Sequence, residues 1–381
     1  MRRKILYISG TRADYGLMRE VLFRIQSHPE LSLKIAVTGM HLMEEFGKTE
    51  VEIQNDGFSC ITIDAVIEDD NKKSMASFIG VFIQKLVKEI EKYRPDFILI
   101  LGDRAEMLAG AIVGSYLSIP VVHLHGGEVT STVDDLVRHA ITKLAHIHFP
   151  ATEESAHRII SMGENPKRVF VVGAPGLDQI FLTKLSSRYK IMTKYNLDLK
   201  QPFFLVVQHP VTLEVEDAQM QIKETLDAIM ELNIQTIIVY PNADSGGRSM
   251  IEIIKKFEKY PNIQTFKNLP HSDFLSLLKY ASALIGNSSS GIIESPSFGT
   301  PVVNIGTRQQ GRQRGDNVID SIYDKTKIID AILKATKDKK NLTYIRKCKN
   351  LYGDGSCGEK VVEIMSTIVI DDQLLQKKMM Y

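Results

Sequence analysis

The run VVHLHGGEVTSTVDDLVRHAITKLAH, residues 121–146, gathers four histidines, three acids and a Gly-Gly pair. Such a set can hold a metal, move protons, or decorate a turn between a strand and a helix. A zinc site needs ligands that converge and a shell completed by carboxylates or cysteines. The run has no HExxH spacing and no cysteine nearby, so no metal is expected. His123 and His125 alternate along an expected strand and should share one face. His139 and His146, seven apart, should align on an expected helix. Ser131 or Thr132 reads as a helix cap, with Asp134 or Asp135 in the first turn. Asp134 and Arg138 have the spacing of an i,i+4 pair. The strand end delivers Glu128 and Asp134 toward the edge reached by Asp103. Imidazoles and carboxylates placed there can transfer protons near neutral pH.

Two further strand ends carry charge. LGDRAE places Asp103 and Arg104 after an apolar run, where Asp103 is either an acid–base group or the N-cap of the next helix. GTRADYG, residues 10–16, follows the first strand. It lacks the GxGxxG pattern of dinucleotide binders, which disfavours a nicotinamide oxidoreductase. Arg12 there either meets an anionic ligand or pairs with Asp14.

The second half holds GNSSSGIIESPSFGTPVVNIGTRQQGRQRGD. Small residues from Gly286 to Gly291, including Ser289 and Ser290, precede a short expected helix. Hydroxyls and free N–H groups at a helix start suit a diphosphate. Glu294 lies just inside that helix, either as an acid on the dipole or as an acceptor for ribose hydroxyls. Arg308, Arg312 and Arg314 follow in a loop and can add charge-assisted contacts. His209 in QHP and Asn242 in YPNAD end two other strands of this half and are expected to face the same ligand.

Positioning these residues requires strands whose C-terminal ends share an edge. The first half alternates apolar runs (KILYIS, LSLKIAVTG, DFILILGD, IPVVHLHGG, RVFVVGAP) with amphipathic helices. That rhythm means parallel strands in a doubly wound α/β sheet. It restarts after a polar stretch near Ser186–Gln201, with FFLVVQHP, IQTIIVYPNAD, IQTFKNLP, ALIGNSSSG and PVVNIG. Two Rossmann-like domains are expected, residues 1–175 with the acid–base groups and 176–360 with the phosphate site. A last helix and tail, 361–381, should pack back on the first domain or lie free. Ligands of such sheets bind at strand C-termini, here in a cleft between the domains.

Composition excludes several classes. With 381 residues, 44% hydrophobic, 24% charged and a formal net charge of +1, the chain has no whole-protein field for nucleic acid or an acidic membrane. Cys60, Cys348 and Cys357 match neither a disulfide framework nor a zinc spacing. The opening MRRKILYISG reads as a strand and not a signal peptide. No stretch reaches the roughly 18 apolar residues of a membrane span, so a cytoplasmic protein is expected.

Taken in order, RADY, GDR, GGEV, DDLVRHAITKLAH, VQHPVT, YPNAD, IGNSSSG, FGTPVVNIGTRQQGR and YGDG resemble the hydrolysing UDP-N-acetylglucosamine 2-epimerases over nearly the whole chain. The resemblance implies a GT-B-like fold, two Rossmann-like domains facing across a cleft. It implies elimination of UDP followed by hydration, giving N-acetylmannosamine for sialic acid synthesis, with no metal or redox cofactor. Carried over by position, Arg12, Arg104, Asn242, Ser289, Ser290, Gly291, Glu294 and Arg308 would bind the UDP-sugar. Asp103, Asp134 and His209 would be catalytic, and a homodimer or homotetramer is implied. One departure stands out: the similar animal enzyme has HIEGGE where this chain has HLHGGE. Either His125 replaces the usual carboxylate, or Glu128 moves in, or the substrate differs. The rival substrate is a UDP-linked 2,4-diacetamido-6-deoxy sugar of the legionaminic acid branch. A non-hydrolysing 2-epimerase and a glycosyltransferase would share this architecture, and a non-enzymatic UDP-sugar sensor would bind UDP without turnover.

Overall fold

The computed structural model describes residues 2–44, 47–66, 72–129, 134–182, 185–211, 213–241 and 246–380. These divide into two compact units. The first comprises Met1–Val129, Val133–Gln179 and Tyr352–Tyr381; the second is built on Ile180–Leu351.

The first unit contains β1 (Arg3–Ser9), β2 (Leu31–Val37), β3 (Cys60–Thr62), β4 (Phe97–Leu101), β5 (Val121–Leu124) and β6 (Ile147–Phe149). Among the described residues they form one parallel sheet in the order β3-β2-β1-β4-β5-β6. The second unit contains β7 (Phe203–Val207), β8 (Gln235–Val239), β9 (Ile263–Phe266), β10 (Ala283–Gly286), β11 (Val302–Ile305) and β12 (Val318–Ser321). Their order is β12-β11-β10-β7-β8-β9, again parallel. Counted from its own first strand, each sheet has the order 3-2-1-4-5-6. The winding therefore reverses between β1 and β4 in one unit and between β7 and β10 in the other. Ligands of doubly wound sheets bind beyond the strand C-termini at these reversal points.

Central strands such as FILIL and FFLVV are buried at every position, because helices cover both sheet faces. On one face of the first sheet Tyr7, Met18, Leu22 and Ile25 pack together; on the other, Leu6, Ile8, Phe82 and Ile100 do. Truncating one such side chain, Leu22→Ala, removes about 2–5 kcal/mol.

Three expectations change. RVFVVGAP contributes only an isolated bridge between Val169 and His148. The short strands β3, β6 and β12 have three or four residues each, too few for periodicity to reveal. Residues 352–360 belong to the first unit and not the second. There, Ala174 N–H donates to the Tyr352 carbonyl at 2.7 Å. Both oxygens of Asp178 accept the N–H groups of Cys357 and Gly358, at 2.9 and 2.6 Å, at the start of the helix Cys357–Thr367. Burial pushes the Asp178 carboxyl up to about 6 against those two donors.

The tail docks on the same unit. Lys377 Nζ donates to the carbonyls of Thr142, Lys143 and Ala145 at 2.8, 2.9 and 2.8 Å, closing the C-terminal end of the helix Asp134–Leu144. The same ammonium lies 2.6 Å from buried Glu164. Burial alone would raise Glu164, but hydrogen bonds from His148 and Lys377 prevail and hold it at about 2.

Candidate active site

At the first reversal point β1 ends in Ser9 and the helix Arg12–Ser27 begins. Thr11 caps that helix in a capping box with Asp14. The buried Asp14 carboxylate accepts the Gly10 and Thr11 N–H groups at 3.1 and 2.7 Å and the Thr11 hydroxyl at 2.9 Å. It also takes the hydroxyls of Ser9 and Tyr7. Asp14 is thus spent on the turn and is not the partner expected for Arg12. The Arg12 guanidinium instead meets Glu52 at 3.1 Å, with its side chain 42% exposed.

Beside it, β4 leads into Gly102, whose φ of +78° turns the chain as L residues rarely do. The N-cap of the helix Ala105–Tyr116 is Arg104, with no side-chain cap bond. Asp103 is therefore not the cap, because the Gly102 turn places it one residue too early. Its carboxylate meets the Arg138 guanidinium instead. Arg138 is nearly buried, and it also donates to the Glu128 carbonyl at 2.9 Å and to Asp135 at 3.1 Å. One guanidinium fork ties the Asp103 turn to the Glu128 turn. Asp134 opens the helix Asp134–Leu144, but its side chain, like Ser131 and Thr132, lies outside the described residues. The Arg138 pair seen on this helix is with Asp135, at i,i+3.

His123 and His125 do not share a face. β5 stops at Leu124, and His125 has φ +58°, a left-handed conformation that costs a non-glycine residue roughly 1 kcal/mol or more. His123 is fully buried and its Nε2 donates to the Gly102 carbonyl at 2.7 Å. Burial pushes its pKa down to about 3, so it is a neutral prop beneath the Asp103 turn. His125 Nδ1 lies 2.7 Å from Glu128 Oε1, with the carboxylate 3% exposed and the imidazole 13%. Neutral His125 therefore donates from Nδ1 and keeps Nε2 as a base. Gly127 is required in this turn: φ is +76° and a Cβ would fall 2.2 Å from the Ser155 carbonyl.

His139 and His146 are not aligned either, since the helix ends at Leu144. His146 Nδ1 accepts the Val121 N–H at 3.1 Å, and burial pushes it down to about 4. Among the described residues no three His, Cys, Asp or Glu side chains converge as metal ligands.

At the second reversal point β7 ends before Gln208-His209-Pro210 and β10 ends at Gly286. Gly286 has φ +125°, and a Cβ would stand 2.2 Å from the Val207 carbonyl. Asn287 then bridges to half-buried His209 through two backbone hydrogen bonds. Arg308 NH1 donates to the Asn287 carbonyl at 3.1 Å, which holds its guanidinium beside the serine loop. The expected helix is a single turn, Ser290–Ile293, with Ser289 as N-cap. The Gly291 and Ile292 N–H groups bond back to Ser288 and Ser289 carbonyls at 3.1 and 2.9 Å. The loop thus offers hydroxyls and a few amides, not a long helix dipole. Gly291 lets that turn lie on β11, since a Cβ would come 2.9 Å from Val302. Glu294 is 4% exposed; it closes the turn Ser290–Ile293 at its C-terminal side and precedes the short 3-10 turn Ser295–Phe298, so it does not sit at the start of the helix expected for it. Arg314 is paired with Asp320 at 2.5 Å, and Arg312 donates to Gln309 at 3.3 Å. Asn242 lies outside the described residues.

A family model described as UDP-N-acetylglucosamine 2-epimerase matches residues 24–366. The chain belongs to that family. A UDP-N,N'-diacetylbacillosamine 2-epimerase (hydrolyzing) from Legionella pneumophila is 45% identical over 378 residues, 99% of both chains. A UDP-N-acetylglucosamine 2-epimerase from Neisseria meningitidis serogroup B is 38% identical over 335 residues, 87% of each. Among solved structures, a Neisseria meningitidis UDP-GlcNAc 2-epimerase bound to UDP-GlcNAc matches with a TM-score of 0.80 at 18% identity. It covers 95% of this chain and 99% of that one. The likeness establishes the GT-B-like class of two Rossmann-like units.

Three residues of this family member escaped the sequence reading as site elements. Arg138 was expected only as a helix pair. Asn287 was one small polar residue in a serine-rich loop. Glu106, 1% exposed, meets Arg104 at 3.3 Å. It fills the space over Gly10, where a Cβ would lie 2.3 Å from its Oε1. Only its place in LGDRAE hinted at Glu106, since burial of a charge needs a partner and partners distant in sequence leave no spacing signal.

Proposed function

We propose that this epimerase-family chain is a hydrolysing 2-epimerase acting on UDP-N,N'-diacetylbacillosamine, a UDP-linked 2,4-diacetamido-6-deoxy sugar. The observation that carries the substrate is the 45% identity over 378 residues to the Legionella pneumophila enzyme of that name. It favours the legionaminic branch over UDP-GlcNAc and sialic acid synthesis. The 38% identity to a UDP-N-acetylglucosamine 2-epimerase keeps UDP-GlcNAc as the second reading.

In this reaction a base removes the C2 proton while the C1–O bond to UDP breaks, leaving a 1,2-unsaturated sugar. Water then adds its oxygen to C1, and a proton returns to C2 from the other face. UDP and the free 2-epimeric sugar are the products. Asp103, Asp134 and the His125–Glu128 pair are the proton-transfer groups, with Glu128 orienting the His125 ring. Their support is local: the Arg138 fork joins the Asp103 and Glu128 turns, and His125 sits in a strained turn of the kind found at functional sites. His209, Arg308, Ser289, Ser290, Gly291 and Glu294 take the departing UDP, and His209 also assists its departure. Arg12, Arg104 and Asn242 complete the binding set. Donors at the developing diphosphate charge lower the barrier most. No metal or redox cofactor has a role in these steps.

A proton NMR time course in D2O tests the reading with both UDP-sugars. The expected result is free sugar deuterated at C2, with UDP released, at a higher kcat/KM for the diacetamido substrate. Faster turnover of UDP-GlcNAc would replace the substrate assignment. Epimerised sugar still bearing UDP would replace the hydrolytic one.

A further inference from the structure

The second reversal point converges on one buried residue. Asn287 is 1% exposed. Its Oδ1 accepts the His209 N–H at 2.7 Å, and its Nδ2 donates to the His209 carbonyl at 2.9 Å. Its own N–H donates to the Val207 carbonyl at 3.1 Å. Its carbonyl receives Arg308 NH1 at 3.1 Å and Gln309 Nε2 at 2.9 Å. The end of β7 and the arginine loop after β11 are therefore both referred to the same residue.

The geometry points to the Asn287 side chain as a positioning group that sets His209 against the UDP, while the main-chain carbonyl of the same residue holds Arg308. The inference rests on the UDP-binding role proposed above for those two residues. A backbone presents one donor and one acceptor, and a carboxamide matches both at once. Pro210 restricts His209 to extended backbone, so this bidentate pairing fixes the main chain of His209, and with it the direction of its Cα–Cβ bond, at the strand end. Gly286 permits the close approach of β10 to β7 that the pairing needs.

The polarity of the pair supplies its own test. In Asn287→Asp an ionised carboxylate would set an acceptor against the His209 carbonyl. A protonated carboxyl could donate there and restore the pattern; burial favours the protonated form against the Arg308 guanidinium, which favours the ionised one, and the Tyr323 hydroxyl also lies against this side chain. The assay is kcat and KM for the UDP-sugar, variant over wild type, from pH 5 to 8.5, with UDP affinity by calorimetry and folding by circular dichroism. The expected result is a kcat ratio near ~0.01 at high pH, since small misplacements cost about 10²-fold, rising as pH falls. UDP affinity should weaken and recover in parallel. A ratio that is flat across pH, at any level, overturns the inference, because loss of packing alone carries no such proton dependence. The nearly isosteric Asn287→Asp variant keeps the test usable if Asn287→Ala fails to fold. His209→Ala and Arg308→Ala serve as controls on the underlying reading. If both keep full activity and UDP affinity, that reading fails, whatever the pH profile of Asn287→Asp shows.

Discussion

The two units share a winding order and differ in what fills the reversal point. Beyond β1 and β4 stand carboxylates, an imidazole and guanidinium groups: Asp14 holds its turn through N–H and hydroxyl donors, Arg138 pairs with Asp103 and donates to the Glu128 carbonyl, and Glu106 pairs with Arg104 over Gly10. Beyond β7 and β10 stand glycine, serines and an asparagine, with His209 and Arg308, tied through backbone groups. The first arrangement can take up and release protons. The second, with hydroxyls, a few amides, His209 and Arg308, can surround an anion. One sheet topology thus hosts two chemistries, and the difference lies in a few loop residues at the strand ends.

The sharpest way to break this comparison is to exchange the effects of the two ends. Asp103→Asn should lower kcat by about 10²–10⁴ with UDP affinity unchanged, measured by product release and calorimetry on the folded variant. A loss of UDP affinity equal to the loss of kcat would erase the division of labour. Glu128→Gln comes next. Its amide can still bond to His125 but cannot hold a charged imidazolium, so kcat should fall about a hundredfold with KM nearly constant. Glu128→Ala should fall further, by freeing the ring.

The smallest expected effect is thermodynamic. Of the ten histidines only His209 and His271 lie in the second unit. In the first unit, burial depresses His123 to about 3 and His146 to about 4, and lowers His41, His139 and His148. A histidine whose folded pKa is depressed is neutral in the fold and charges on unfolding. Its contribution is full above about 6.5 and is lost as pH falls from there toward the folded value. At pH 5 one such site costs about 2 kcal/mol. Asp178, raised to about 6, acts oppositely and regains stability as pH falls below that value. Calorimetric scans from pH 7 to 5 should show the first unit's transition falling by more degrees than the second's. Equal falls would mean that the buried imidazoles are hydrated.

Much of the fold was readable because buried central strands are continuous apolar runs, as in FILIL and FFLVV. Strand ends bearing Arg12, Asp103 and His209 followed from that. The misreadings share one cause. The cap was one of two readings of Asp103, and the Asp14 pair one of two readings of Arg12, because local spacing was the only distance available. Arg138, 35 residues from Asp103, and Glu52, 40 residues from Arg12, settle both. Alternation put His125 beside His123, but a left-handed turn has no periodic signature in a non-glycine residue. Glu294 was legible from its stretch as either a dipole acid or a hydroxyl acceptor, and its place at the end of a one-turn helix speaks against the first.

The docking of Lys377 on the end of the helix that carries Arg138 has a bearing on synthesis. The ribosome makes β1 to β6 first, then the whole second unit, and only then the segment 352–380. Until that segment emerges, the carbonyls of Thr142, Lys143 and Ala145 lack their ammonium, and Glu164 lacks one of its cations. The unit begun first is the one completed last. A nascent chain halted after Leu351 would hold every residue from Ile180 of the second unit and a first unit without its Lys377 latch.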